Sequence, residues 1–123
     1  MPYKITFEPN GAYVFFEGTC SFDDILNATI EIWERPGFER IRYEIFDYSA
    51  VTSIAVSEFD AIEMAVRDRV ASRDSRREKI AVVAHQPEII SLSKYYGETI
   101  QKSDIKHLVV PTLEEARTWV EES

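Results

Sequence analysis

Residues 41–70, IRYEIFDYSAVTSIAVSEFDAIEMAVRDRV, decide the fold. The stretch opens with apolar side chains at Ile41, Tyr43, Ile45 and Phe46, dense enough for a strand inside a sheet. Asp47-Tyr48-Ser49 then supplies polar turn chemistry on which such a strand closes. From Ser57, Ser-Glu-Phe-Asp sets a serine N-cap with an acid three residues later, and Ile62, Ala65, Val66, Arg69 and Val70 trace an amphipathic helix. The stretch therefore reads as strand, turn and capped helix, and the segments around it read as its neighbours.

Upstream, Tyr3 to Glu8 alternates apolar and polar, Pro9-Asn10-Gly11 offers Asn-Gly turn chemistry, and Ala12 to Gly18 alternates again, which predicts an antiparallel hairpin. Ser21 caps a helix carrying Ile25, Ala28, Thr29, Ile32 and Trp33, which should stop before Pro36-Gly37. Downstream, EKIAVVA at Glu78 to Ala84 is a short apolar run of the kind covered on both faces. His85-Gln86-Pro87 opens a helix with Ile89, Leu92, Ser93 and Tyr96 on one stripe and Gly97 as a break or cap. Ile105 to Val110 makes a fifth strand, and Thr112 caps a last helix with Leu113, Ala116, Trp119 and Val120 on its buried stripe. Helices alternating with the later strands require parallel neighbours joined by right-handed crossovers. The expected fold is α/β: a single-layer mixed five-stranded sheet, an N-terminal antiparallel hairpin followed by parallel strands, covered by four helices.

A chain of 123 residues fits one domain, 1–123, with one core. Its hydrophobic fraction of 45% and charged fraction of 29% are those of a globular protein rather than a disordered one. The net charge of −8 argues against nucleic acid as a partner, because binding phosphates requires basic groups that displace counterions. The one basic run, Arg67, Arg69, Arg73, Arg76, Arg77 and Lys79, is interleaved with Asp68, Asp74 and Glu78 and reads as a solvated helix end. The lone cysteine, Cys20, excludes an intrachain disulfide and a multi-cysteine metal cluster. With no basic leader ahead of an apolar run, and no apolar run of about 18 residues, the expected location is cytoplasmic, without a transmembrane segment.

The order of elements, the strand-turn-helix around FDYSAVTSIAVSEFDAI, the KIAVVA strand and the closing LEEARTWV resemble the SpoIIAA-like proteins, relatives of the STAS domains of anti-sigma factor antagonists. The resemblance covers essentially the whole chain. In regulatory STAS domains the third strand leads to an Asp-Ser-Ser-Gly segment whose first Ser is phosphorylated by a partner kinase. Laid on that pattern, Val51-Thr52-Ser53-Ile54 matches the approach, Ala55 falls at the Asp, Val56 at the phosphorylated Ser, Ser57 at the second Ser and Glu58 at the Gly. A valine cannot accept phosphate. The resemblance thus implies a STAS-like scaffold and does not carry over the kinase switch.

Ligands in open α/β sheets sit beyond the carboxyl ends of parallel strands, where helix N-termini converge. That edge should gather Asp47, Ser49, Ser53, Ser57 and His85, with Tyr48, Gln86 and Thr112 nearby. Ser57 and Thr112 are equally explained as N-caps, and Asp47 and Ser49 as turn residues. A Ser-His-Asp set can be drawn from Ser49, His85 and Asp47, but no G-x-S-x-G elbow is present. The four glycines stand singly, so neither a P-loop nor a Rossmann fingerprint exists, and the two histidines lack metal-ligand spacing. No cofactor or metal is expected. Tyr95 and Tyr96, with Ile89, Ile90 and Leu92, put more apolar surface on the third helix than one buried stripe requires, which a groove or partner interface explains and looser helix boundaries explain equally. The leading expectation is a non-enzymatic regulatory or protein-interaction module that forms a homodimer. The alternatives are a carrier with an apolar pocket for a small molecule or lipid between helices and sheet, and a hydrolase-type enzyme centred on Ser49 and His85.

Overall fold

The computed structural model describes residues 3–122; Met1, Pro2 and Ser123 of the expected single domain lie outside the described residues, as does the side chain of Asp74. The elements run β1 (Tyr3–Glu8), β2 (Gly11–Ser21), α1 (Phe22–Glu34), β3 (Tyr43–Ala55), α2 (Glu58–Ala71), β4 (Lys79–Val83), α3 (Pro87–Ile100), β5 (Lys106–Val110) and α4 (Leu113–Glu121). This is the predicted order. The capping serines act as expected: Ser21 and Ser57 each form a complete capping box with an aspartate three residues on, and the Thr112 hydroxyl accepts from the Glu115 amide.

The strands lie side by side in chain order, β1 antiparallel to β2 and all later neighbours parallel. Because each parallel strand joins on the same side of its predecessor, right-handed crossovers put α1, α2 and α3 on one face. There Phe16, Phe46, Ile80 and Val82 of the sheet meet Ala28, Ile32, Ala65 and Ile89 of the helices. α4, which follows β5, leaves that face. It covers the opposite side, packing Leu113, Ala116, Trp119 and Val120, the expected stripe, against Ile45, Ala81 and Val83.

Three expectations are corrected. Asp47-Tyr48-Ser49 is not a turn; β3 continues through it to Ala55, carried by two irregularities in its register with β2, between Phe15 and Glu17 and between Gly18 and Thr19. Each gives β3 an extra residue, and Gly18, at φ +68°, supplies the left-handed backbone beside the second. Gly97 neither breaks nor caps α3, which runs to Ile100. A Cβ at residue 97 would lie 2.6 Å from His107 Nδ1, so close packing of α3 on β5 is what calls for glycine there.

The third correction concerns Arg77. The basic run is solvated at Arg73 and Arg76, but Arg77 is only 5% exposed. Its Nη1 donates to Glu44 Oε1 on β3 at 2.8 Å and to Asp68 Oδ1 on α2 at 3.0 Å, while Nη2 donates to the Asp68 carbonyl at 3.1 Å. The Tyr96 hydroxyl of α3 donates to Asp68 Oδ2 at 2.6 Å. The guanidinium thus joins strand and second helix at the amino end of the sheet, and Asp68 in turn ties in the third helix. Burial raises the Glu44 carboxyl above its usual range, opposed by Arg77. Replacing Arg77 by Met would leave two buried carboxylates unpaired, and we expect a loss of about 3–5 kcal/mol in urea unfolding; a loss under about 1 kcal/mol would show that the pairs are not needed.

His107 is half-buried beside Tyr96, with ring centroids 5.2 Å apart, and its buried Nε2 has no hydrogen-bond partner among the described residues. Burial lowers its pKa from 6.5 to about 4. Between those values the unfolded chain binds a proton that the folded one refuses, so this contribution to stability is full above about pH 6.5 and is lost as pH falls toward 4. The loss should be on the order of 2–3 kcal/mol. Unfolding at pH 7.5 and 4.5, compared with His107→Asn, isolates it, and an unchanged slope in the variant would refute the assignment.

Candidate functional site

β4 stops at Val83, which pairs with Asp47, so β3 from Tyr48 onward has β2 on one side and no strand on the other. Its exposed carbonyls need donors. The residues just past β4 supply them. Gln86 Nε2 donates to the carbonyls of Tyr48 at 2.9 Å and Val51 at 2.8 Å, while its Oε1 accepts from the His85 amide at 3.1 Å. His85 Nε2 lies 3.2 Å from the Ser49 carbonyl. The turn from β4 into α3 thus serves as a side-chain substitute for the missing strand.

This geometry keeps Asp47, Ser49 and His85 together through backbone contacts and leaves Ser53 and Ser57 further along the chain. Asp47 is buried on the α4 face, where Oδ2 accepts from the Tyr13 hydroxyl at 2.5 Å and Oδ1 from the Ser49 amide at 2.9 Å. The Tyr13 hydroxyl is raised by burial and by that bond to Asp47. His85 contacts the Ser49 backbone rather than its hydroxyl, and neither residue meets the Asp47 carboxylate among the described residues, so the Ser-His-Asp set drawn from the sequence is not assembled. Ser53 is exposed further along β3, about 20 Å from Asp47 at some 3.3 Å per residue. Ser57, beyond it, is exposed and engaged in its capping box, its Oγ 3.1 Å from the Asp60 amide. Cys20 is buried, and burial, with Asp24 adding, pushes its thiol up to about 12, which leaves it unreactive.

Between α1, α2, α3 and the sheet lies an apolar cavity of about 70 Å³, lined by Phe46, Tyr48, Val56, Met64, Ile80 and Ile89 among others. Its position is the one expected of a carrier's pocket. Its size is not, since pockets for small organic ligands run to about 300–1,000 Å³.

The feature that sequence reasoning placed wrongly lies on α2. Of the expected stripe Ile62, Ala65, Val66, Arg69 and Val70, Ala65 is buried and Arg69 half-buried, but Ile62, Val66 and Val70 face outward; Ala61, Met64 and Asp68 are buried with Ala65. Phe59 is 84% exposed, Val70 55%, Val66 47% and Ile62 38%. Recurring at three and four residues, these four form one continuous apolar stripe along the helix. Of the pair expected at an interface, Tyr95 is half-buried on α3, its hydroxyl raised by neighbouring Glu58 of α2, whereas Tyr96 turns inward to Asp68. The signal that would have found the exposed stripe is Asp68: once it pairs with Arg77, the opposite face must point to solvent.

No protein-family model matches the chain, and no curated protein matches it. Among solved structures the chain is similar to an uncharacterized protein of the DUF3478 family with a SpoIIAA-like fold, from Shewanella loihica PV-4. The two share 9% identity at a TM-score of 0.56, over 96% of this chain and 91% of that one. A likeness at that identity shows the fold, and the fold is SpoIIAA-like, as the sequence resemblance implied. No helix among the described residues is long and apolar enough to cross a membrane.

The two residues past β4 differ sharply in what they hold. Gln86→Ala removes three hydrogen bonds and should cost about 1–3 kcal/mol. His85→Ala, at an exposed ring with one contact, should stay within about 0.5 kcal/mol. Equal losses in thermal unfolding would contradict this division of roles.

Proposed function

We propose that the chain is a non-enzymatic, STAS-like protein-interaction module of the cytoplasm, working through the outer face of α2 and the adjoining helix-start edge around Ser53, Ser57 and Tyr95. The observation that carries the reading is the stripe of Phe59, Ile62, Val66 and Val70, because large apolar side chains aligned in the open mark a surface that is covered in use. Val56 occupies the position that the phosphorylated serine takes in regulatory relatives, and its side chain lines the apolar cavity. On this reading the module binds without a kinase switch at that position. Asp47, Ser49 and His85 serve the scaffold rather than chemistry, since their hydrogen bonds hold backbone and one another's strands.

A carrier is the second reading, favoured by the apolar lining of the cavity under the helices. It would require α1 or α2 to lift away from the sheet, because a cavity of about 70 Å³ is too small for an organic ligand.

Native mass spectrometry of the protein purified from its own source tests both. We expect a stoichiometric protein complex, with itself or another chain, free of covalent phosphate, and lost in Val66→Asp at an unchanged thermal midpoint. A monomer carrying an organic mass would sink the interaction reading in favour of the carrier.

A further inference from the structure

The charges bordering the apolar stripe on α2 are not distributed at random. Acids occupy the first half of the helix, Glu58, Asp60 and Glu63; arginines occupy the second, Arg67 and Arg69. At 100° per residue, Glu58 and Arg69 fall on one flank of the stripe, and Glu63 and Arg67 on the other. In an antiparallel pair of helices related by a two-fold axis, each flank faces the same flank of the partner. A single register then sets Phe59 against the partner's Val70, Ile62 against the partner's Val66, Glu58 against the partner's Arg69 and Glu63 against the partner's Arg67. Apolar and charged pairs demand the same centre, close to Met64 and Ala65.

We propose that the occupant of this face is a second copy of the chain, docked α2 against antiparallel α2 across a two-fold axis. A parallel arrangement would place acid on acid and arginine on arginine along both flanks, and it would align the two helix dipoles unfavourably. The antiparallel one opposes them. Glu63 and Arg67 already pair within the helix, Nη2 to Oε2 at 3.0 Å, both half-exposed, so each is positioned to share its partner across the axis. Fourteen helical residues span about 21 Å, which with Tyr95 alongside makes a contact at the small end for protein interfaces. The dimer is therefore expected to form in the micromolar range rather than to be permanent.

The inference rests on reading α2 as a binding face, and the following experiment separates the two. Sedimentation velocity of the recombinant full chain, from roughly 5 to 500 µM, should show reversible dimerisation. Val66→Asp should weaken it by at least about tenfold at an unchanged thermal midpoint, E63R should weaken it, and E63R combined with R67E should restore it. Under mild oxidation, the Phe59→Cys protein mixed with the Val70→Cys protein should cross-link faster than either variant alone. A chain monomeric throughout, a dimer indifferent to Val66→Asp, or Phe59→Cys alone linking as fast as the mixture would overturn the pairing. If the recombinant chain is monomeric while the source complex still vanishes in Val66→Asp, self-pairing fails and the interaction reading stands with another protein as partner.

Discussion

β3 is longer than the strand beside it, and much of the molecule follows from that mismatch. A strand of thirteen residues cannot be satisfied by a neighbour of five, and carbonyls left facing nothing inside a protein cost as much as lost hydrogen bonds. Two devices answer the problem. On one side β2 also runs long and accommodates the two extra residues of β3 as irregularities. On the other, Gln86 and His85 reach back from the start of α3. The region where α/β proteins commonly open a ligand cleft is here given over to closing a backbone gap.

The opposite end of the sheet is held by charge. Arg77 draws Glu44 and Asp68 out of water, and this choice fixes the rotation of α2 about its axis. Apolar area alone favours burying Ile62, Val66 and Val70, each worth about 1.5–3 kcal/mol, over Ala61, Ala65 and Met64. The helix instead turns Asp68 inward, because an uncompensated buried guanidinium is costlier than an exposed valine. Stabilising the interior thus creates the exposed surface.

What could be read from the sequence divides along the same lines. Elements with local signals were legible: the Ser21, Ser57 and Thr112 caps, the apolar EKIAVVA run, and the stripe of α4. The continuation of β3 was not, because the irregularities convert two-residue alternation into the three-residue spacing of Tyr48, Val51 and Ile54, and the polar Asp47 and Ser49 between look like a turn. The face of α2 was illegible for a different reason. Arg77 and Glu44 are thirty-three residues apart, and no periodicity within the helix announces that Arg77 answers both Glu44 and Asp68. The candidate site was drawn from an assumed turn; with that turn a strand, Asp47, Ser49 and His85 meet through backbone contacts, Ser53 and Ser57 lie further along, and Gln86 bonds the carbonyls of β3.

The sheet order is also the chain order. Most α/β sheets place a later strand on both sides of an early one, so the first strand made must wait, half-paired, until a distant segment returns. Here the hairpin of β1 and β2 supplies a finished start, and every later strand is laid on one advancing border with its helix already behind it. Such a polypeptide can be assembled in the direction of its synthesis, with one unfinished margin exposed at a time.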